Sequence, residues 1–111
     1  MRKGAIYYKD ILAGVLVETD EGDYTFQYDA HYIANHPKQF ITFTMPVTAT
    51  IYQAPRLFAF FEGLIPEGWL LDIASNNWKI NPNDRMGLLL ACCQDCIGAV
   101  SVHPIKEEHG S

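Results

Sequence analysis

The sequence lacks any apolar run near the roughly 18 residues that a bilayer-spanning helix requires. Nor does an apolar stretch of about seven residues follow the basic pair in the opening MRKGAIYYKD, so no secretory signal is predicted there. Cysteine is scarce. Cys92, Cys93 and Cys96 fall within five positions, and an odd, tight cluster is unlike the disulfide framework of a secreted scaffold. Cys93 and Cys96 do form a C-x-x-C. A zinc site needs four ligands, however, and His31, His36, His103 and His109 are scattered without ligand spacing. The cysteines are therefore expected to be small buried apolar side chains, with no metal and no cofactor. Positive charge is short as well. Eight Lys and Arg stand against thirteen Asp and Glu, for a formal charge of −5. That balance lacks the basic face of a nucleic-acid binder. No direct nucleic-acid contact and no membrane association are expected, and the expected location is cytoplasmic.

What is present is enough apolar residue for one small domain: 49% of 111 residues are hydrophobic and 13% aromatic. GAIYY (4–8) is predicted to be a strand, Lys9-Asp10 a turn, and ILAGVLVET (11–19) a second strand with a bulge at Gly14. Asp20-Glu21-Gly22-Asp23 is a turn cluster in which Gly22 takes positive φ. YTFQY alternates, with Tyr24, Phe26 and Tyr28 on the core face and Thr25 and Gln27 outward. The first 28 residues thus predict a three-stranded meander.

Residues 29–37 predict one helical turn capped by Asp29 and ended before Pro37. FITFT (40–44) alternates and predicts a further strand, and 47–55 is a connection without an assigned course. Leu57, Phe60, Phe61 and Leu64 recur at i, i+3, i+4 and i+7, the stripe of an amphipathic helix. A second helix is expected over about 68–78, with Leu70, Ile73, Ala74 and Trp78 inward. A third is announced by NPND, with Asn81 as cap, Pro82 at the first position and Asp84 favouring the dipole. Its predicted buried stripe is Met86, Leu89, Leu90 and Cys93, and GAVSV (98–102) is a last strand. The expected class is α+β, an antiparallel sheet with about three helices packed on one side. Residues 1–105 form the single domain and 106–111 a flexible polar tail.

Chemistry is hard to find. No phosphate-binding glycine loop, dinucleotide fingerprint, nucleophile elbow or kinase H-R-D and D-F-G pair occurs. Stand-alone catalysis is not expected, which leaves binding. The turn Ile65-Pro66-Glu67-Gly68-Trp69 places a tryptophan on the shoulder of a loop. Trp69 falls at the margin of the second helix's polar side. Either it folds back against the sheet, or it is an exposed aromatic anchor for a partner, the residue type most enriched at binding hot spots.

LFAFFEGLIPEGW (57–69) resembles the F-F-x-x-L-L-P-[DE] signature of the N-terminal subdomain of HipA-type serine/threonine kinases. GLLLACCQDCIGAVSVHP (87–104) resembles that family's F-x-L-L-x-x-x-G-x-D-x-x-G-A-[LV] stretch, and LAGVLVETDEGDYTFQY (12–28) its early hairpin. The blocks follow the family's order and cover about Gly4 to Ile105. Gln94 replaces the usual glycine, Gly68-Trp69 is not a family constant, and the ATP site and catalytic and metal-binding aspartates of the kinase are absent from this sequence. The family includes split systems in which this subdomain is a separate small protein, HipS, beside a kinase, HipT, and a helix-turn-helix DNA-binding protein, HipB. The resemblance implies an antitoxin that binds and inhibits a HipT-like kinase, in a ternary complex with a HipB-like protein. The kinase substrate it implies is an aminoacyl-tRNA synthetase. It equally allows an excised N-terminal regulatory subdomain of a full HipA kinase, or a non-inhibitory adaptor between kinase and HipB-like protein. The implied contact residues are Ile65, Pro66, Glu67, Gly68 and Trp69.

Overall fold

A computed structural model describes residues 2–65, 81, 83–92 and 99–105. Five strands, β1 (Arg2–Tyr8), β2 (Ile11–Glu18), β3 (Tyr24–Tyr28), β4 (Tyr52–Ala54) and β5 (Val100–Ile105), form one antiparallel sheet in the order β4-β3-β2-β1-β5. Among the described residues there are three helices, α1 (Ala30–Asn35), α2 (Ala59–Glu62) and α3 (Arg85–Cys92).

The meander forms for the expected reasons. Lys9 and Asp10 take φ of 50° and 66°, the paired left-handed geometry whose twist matches a two-residue hairpin. The Lys9 N–H also donates to the Ala99 carbonyl at 2.7 Å, tying the hairpin tip to the chain entering β5. The β1–β2 register slips between Ile6↔Gly14 and Tyr7↔Leu12, leaving Ala13 as the extra residue beside the predicted bulge. Gly22 takes φ of 91° in the second turn, where the Thr19 hydroxyl accepts from the Asp23 N–H.

Alternation sorts the sheet into a covered and an open face. Ile6, Leu16, Phe26, Tyr28 and Val102 share the covered face through the cross-strand pairs, and all are buried. Tyr32 from α1, Phe61 from α2, and Met86, Leu88 and Leu89 from α3 join the same cluster. The helices thus lie on one side, as an α+β class requires.

Several expectations need correction. Residues 40–44 are not a strand. Ile41 and Met45 turn into the core, whereas Phe43 between them is 78% exposed, a spacing of four where a strand demands two. Their backbone groups are claimed by side chains: the Tyr28 hydroxyl donates to the Met45 carbonyl and accepts from the Ile41 N–H, and the Tyr32 hydroxyl donates to the Gln39 carbonyl. The fourth strand lies instead at 52–54, inside the unassigned connection, beside Tyr52, whose hydroxyl donates to the Pro46 carbonyl at 2.6 Å.

The cap of α3 is Asp84, not Asn81. Asp84 accepts from the Gly87 N–H at 3.2 Å, while the Asn81 carboxamide closes a local turn onto the Asn83 N–H at 2.9 Å. On α3, Leu88 is fully buried and Leu90 only half so, which rotates the predicted stripe toward Met86, Leu88 and Leu89. Asp29 does cap α1, accepting from the His31 and Tyr32 N–H groups. α2 is one turn, shorter than its stripe, and β5 begins at Val100 and runs on to Ile105. The expected helix at 68–78 lies outside the described residues, as do Pro82, Cys93, Cys96 and 106–111.

Burial raises the Tyr28 phenol to about 12, so it remains a donor at neutral pH. Tyr28→Phe should leave the Met45 carbonyl and Ile41 N–H without that hydroxyl and destabilise the fold by about 1–3 kcal/mol. Phe43→Ser should change stability by no more than about 0.5 kcal/mol. Urea unfolding of both variants checks the contrast.

Candidate binding surface

The expected contact turn starts from a well-held root. The Gly63, Leu64 and Ile65 N–H groups donate back to the carbonyls of Ala59, Phe61 and Glu62 at 3.0–3.1 Å. The Glu62 carboxylate, at the end of α2, accepts from the Arg85 guanidinium at 3.0 Å, at the start of α3. Ile65 is 2% exposed and belongs to the core. It therefore holds the chain at the point from which residues 66–69 depart, with its side chain inward. Pro66, Glu67, Gly68 and Trp69 lie outside the described residues.

A second feature went unseen in the sequence. The Arg2 guanidinium, on β1, forks to two carboxylates. Its Nε and Nη2 donate to Glu18 at 2.6 and 3.0 Å, and its Nη1 and Nη2 to Asp84 at 2.9 and 2.7 Å. The Tyr24 hydroxyl donates to Glu18 at 2.9 Å. One cation thus joins β1, β2 and the cap of α3, with β3 attached through Tyr24. Gly87 makes room for it, since a Cβ there would stand 2.4 Å from an Asp84 carboxylate oxygen. The hydrogen bonds to Arg2 hold both carboxyls below their ordinary values. Burial, with the bond to Glu18, pushes the Tyr24 phenol up to about 12. Arg2 and Asp84 are 82 positions apart, so no local pattern could have announced the pair.

The surface itself is apolar in one stretch. Phe43, Ile51 and Phe40 are 78%, 53% and 43% exposed, on a loop pinned by the three tyrosine hydroxyls. Residues 30–61 include no Asp or Glu, but do include Lys38 and Arg56. On the open face of the sheet, the Ser101 hydroxyl lies 3.2 Å from His103 Nε2, and Tyr7 meets the His103 ring edge-on at 5.0 Å. Among the described residues, no group of three or more His, Cys, Asp or Glu is placed to hold a metal ion. No helix among them is long and apolar enough to cross a membrane. What the arrangement offers is fixed surface for contact.

The Arg2 cluster makes stability fall on acidification. Glu18 and Asp84 bind protons less readily in the folded chain than in the unfolded one. Their contribution is thus complete above the ordinary carboxylate range near pH ~4 and is lost as pH falls through the lower folded-state values. Arg2→Met should flatten that acid limb. Asp84→Ala, which loses cap and ion pair together, should cost about 1–2 kcal/mol at neutral pH. Thermal melts between about pH 2 and 7 read both effects.

Residues 4–103 match the HipA N-terminal domain family. A Haemophilus influenzae protein of uncharacterized function is 26% identical over 107 residues, covering 96% of each chain. Among solved structures, the N-terminal domain of HipA toxin superposes with a TM-score of 0.72 at 20% identity, over 97% of this chain and 96% of that one. A resemblance at that identity carries the fold, whereas the family match spans most of the chain. The chain belongs to the HipA N-terminal domain family.

Proposed function

We propose that this protein is the antitoxin of a HipBST-type toxin–antitoxin system, which binds a HipT-like serine/threonine kinase and inhibits it without catalysing a reaction itself. The complex includes a HipB-like helix-turn-helix protein, which supplies the DNA contact, and it works in the bacterial cytoplasm. The observation that supports the reading is the match of residues 4–103 to the HipA N-terminal domain family, over a five-stranded sheet with a buried core.

In this reading residues 65–69 are the inhibitory edge. Ile65, locked in the core, fixes where the edge starts. Pro66 restricts the backbone, Gly68 permits a turn, and Trp69 is the anchor that enters a cleft of the kinase. Glu67 meets a basic residue at the rim, where a charge pair is worth less than a buried indole. A second reading, in which the chain is a regulatory piece of a larger HipA-type kinase, draws on the solved neighbour, which is a domain of a toxin.

Co-expression with a HipT-like kinase tests the proposal. The parent chain should restore growth and suppress phosphorylation of the synthetase. Trp69→Ala should fold as the parent does and bind the kinase roughly 30- to 1000-fold more weakly, the equivalent of about 2–4 kcal/mol at a hot spot. Growth arrest that persists with the parent chain present rules out the antitoxin role. Unaltered inhibition by Trp69→Ala removes the tryptophan from it. The purified chain, incubated with ATP and magnesium, should incorporate no phosphate.

A further inference from the structure

The contact turn at 65–69 belongs to the stretch that leaves α2 and returns at α3, and the two ends of that stretch meet. Glu62 is the last residue of α2 and Arg85 the first of α3. The Arg85 Nε and Nη2 both lie 3.0 Å from Glu62 Oε1. Each charge stands at the helix end that favours the opposite sign: a carboxylate among the last carbonyls of α2, a guanidinium among the first N–H groups of α3. Helix-end preference therefore accounts for neither residue. Their pairing accounts for both.

The two sides of the pair are not equally anchored. Asp84, next to Arg85, caps α3 through the Gly87 N–H and accepts from the Arg2 guanidinium of β1 at 2.7 and 2.9 Å. The return end is thus tied to the sheet. α2 has less to hold it. It is a single turn, and its N-cap, Phe58, has no side chain able to cap. Phe61 packs on Phe26 at 5.8 Å between ring centroids, but apolar packing is non-directional. Glu62 supplies a directional tie, from the end of α2 to the start of α3. Its own carbonyl accepts from the Ile65 N–H at 3.1 Å, the residue from which the contact turn departs.

We infer, resting on the antitoxin reading, that Glu62 and Arg85 are positioning residues for the contact turn. Their pair sets the direction in which the chain leaves Ile65, and so where residues 66–69 are delivered to the kinase, without touching the kinase themselves. A half-exposed pair contributes little to global stability. Breaking it should therefore spare the fold and weaken binding, because the turn then has to be ordered on association.

Binding of a HipT-like kinase is measured by calorimetry, with a thermal melt of each variant alone. Arg85 makes a further interaction besides this pair, so the Glu62 side is removed first. Glu62→Gln should bind about three- to fivefold more weakly and melt within about 4 °C of the parent. The reversed pair, Glu62→Arg with Arg85→Glu, should bind at least about threefold better than Glu62→Arg alone. In a Trp69→Ala background, Glu62→Gln should change affinity less than about twofold, since the anchor it positions is gone. A merely structural role would cost the same in both backgrounds. The inference is overturned if Glu62→Gln binds as the parent does, if the reversed pair gives no recovery, or if the loss persists undiminished in the Trp69→Ala background. A kinase that binds parent and Glu62→Gln alike removes the inference alone. A kinase that fails to bind the parent removes the antitoxin reading and the inference with it.

Discussion

The ring of Phe26 needs the space that Gly14 leaves open. A Cβ on Gly14 would stand 2.8 Å from the Phe26 ring and 2.4 Å from the Gln27 carbonyl. Real Cβ contacts are not that short, so the central pair of strands approaches as closely as it does only because this position has no side chain. Phe26 then lies against Phe61 at 5.8 Å and edge-on to Tyr28 at 4.9 Å. Those two contacts set the distance of α2 from the sheet and the start of the loop beyond α1. A similar approach recurs at Gly4, where a Cβ would meet Leu90 at 3.0 Å and Val102 at 3.1 Å. Glycine thus lets helix and strand side chains lie directly on the sheet at two points of a small core, where each contact is a sizeable share of total stability.

The sheet ends where hydroxyls begin to do what ladders do elsewhere. Between α1 and β4 the chain runs through residues 36–51 without regular structure. A buried peptide group must find a partner, and here Tyr28, Tyr32 and Tyr52 provide three of them from fixed elements. Burial pushes each phenol above its ordinary value. The loop is consequently tied at several points while its Phe40, Phe43 and Ile51 side chains stay outside. A segment tethered this way presents apolar groups with less ordering entropy left to lose on binding.

This is also where sequence reasoning stops being sufficient. The meander was legible because alternation, a two-residue turn and an acidic turn with Gly22 all point to the same geometry. Asp29 was legible as a cap for the same reason: the carboxylate and the N–H groups it serves are neighbours in the chain. FITFT misled because its alternation is a weak pattern over five residues, and the tyrosines that overrule it lie up to 17 positions away. Asn81 misled because NPND offers three side chains able to cap, Asn81, Asn83 and Asp84. The choice of Asp84 depends on Arg2 pulling that carboxylate into place from the opposite end of the sequence. Of the contact turn only Ile65 can be placed, and it is buried; the side chain with the best claim to contact, Trp69, lies beyond the described residues.

Charge separates along the chain in a way that bears on how such a domain meets a partner. The hairpin through residue 29 is acidic, and residues 30–61 carry no carboxylate at all. Net charge alone would set solubility and encounter rate. A boundary between an acidic edge and an apolar, weakly basic loop does more, because it gives an approaching protein a preferred orientation before any close contact forms. The Arg2 cluster lies on the acidic side, where one guanidinium is shared between Glu18 and Asp84 and one net negative charge remains. Other carboxylates of this stretch belong to turns and to the α1 cap, where the backbone is fixed by local hydrogen bonds. A partner that matched both halves would therefore meet charges that do not have to be ordered on arrival. That arrangement discriminates between partners better than net charge does, and among the described residues it accompanies a sheet with one face left open.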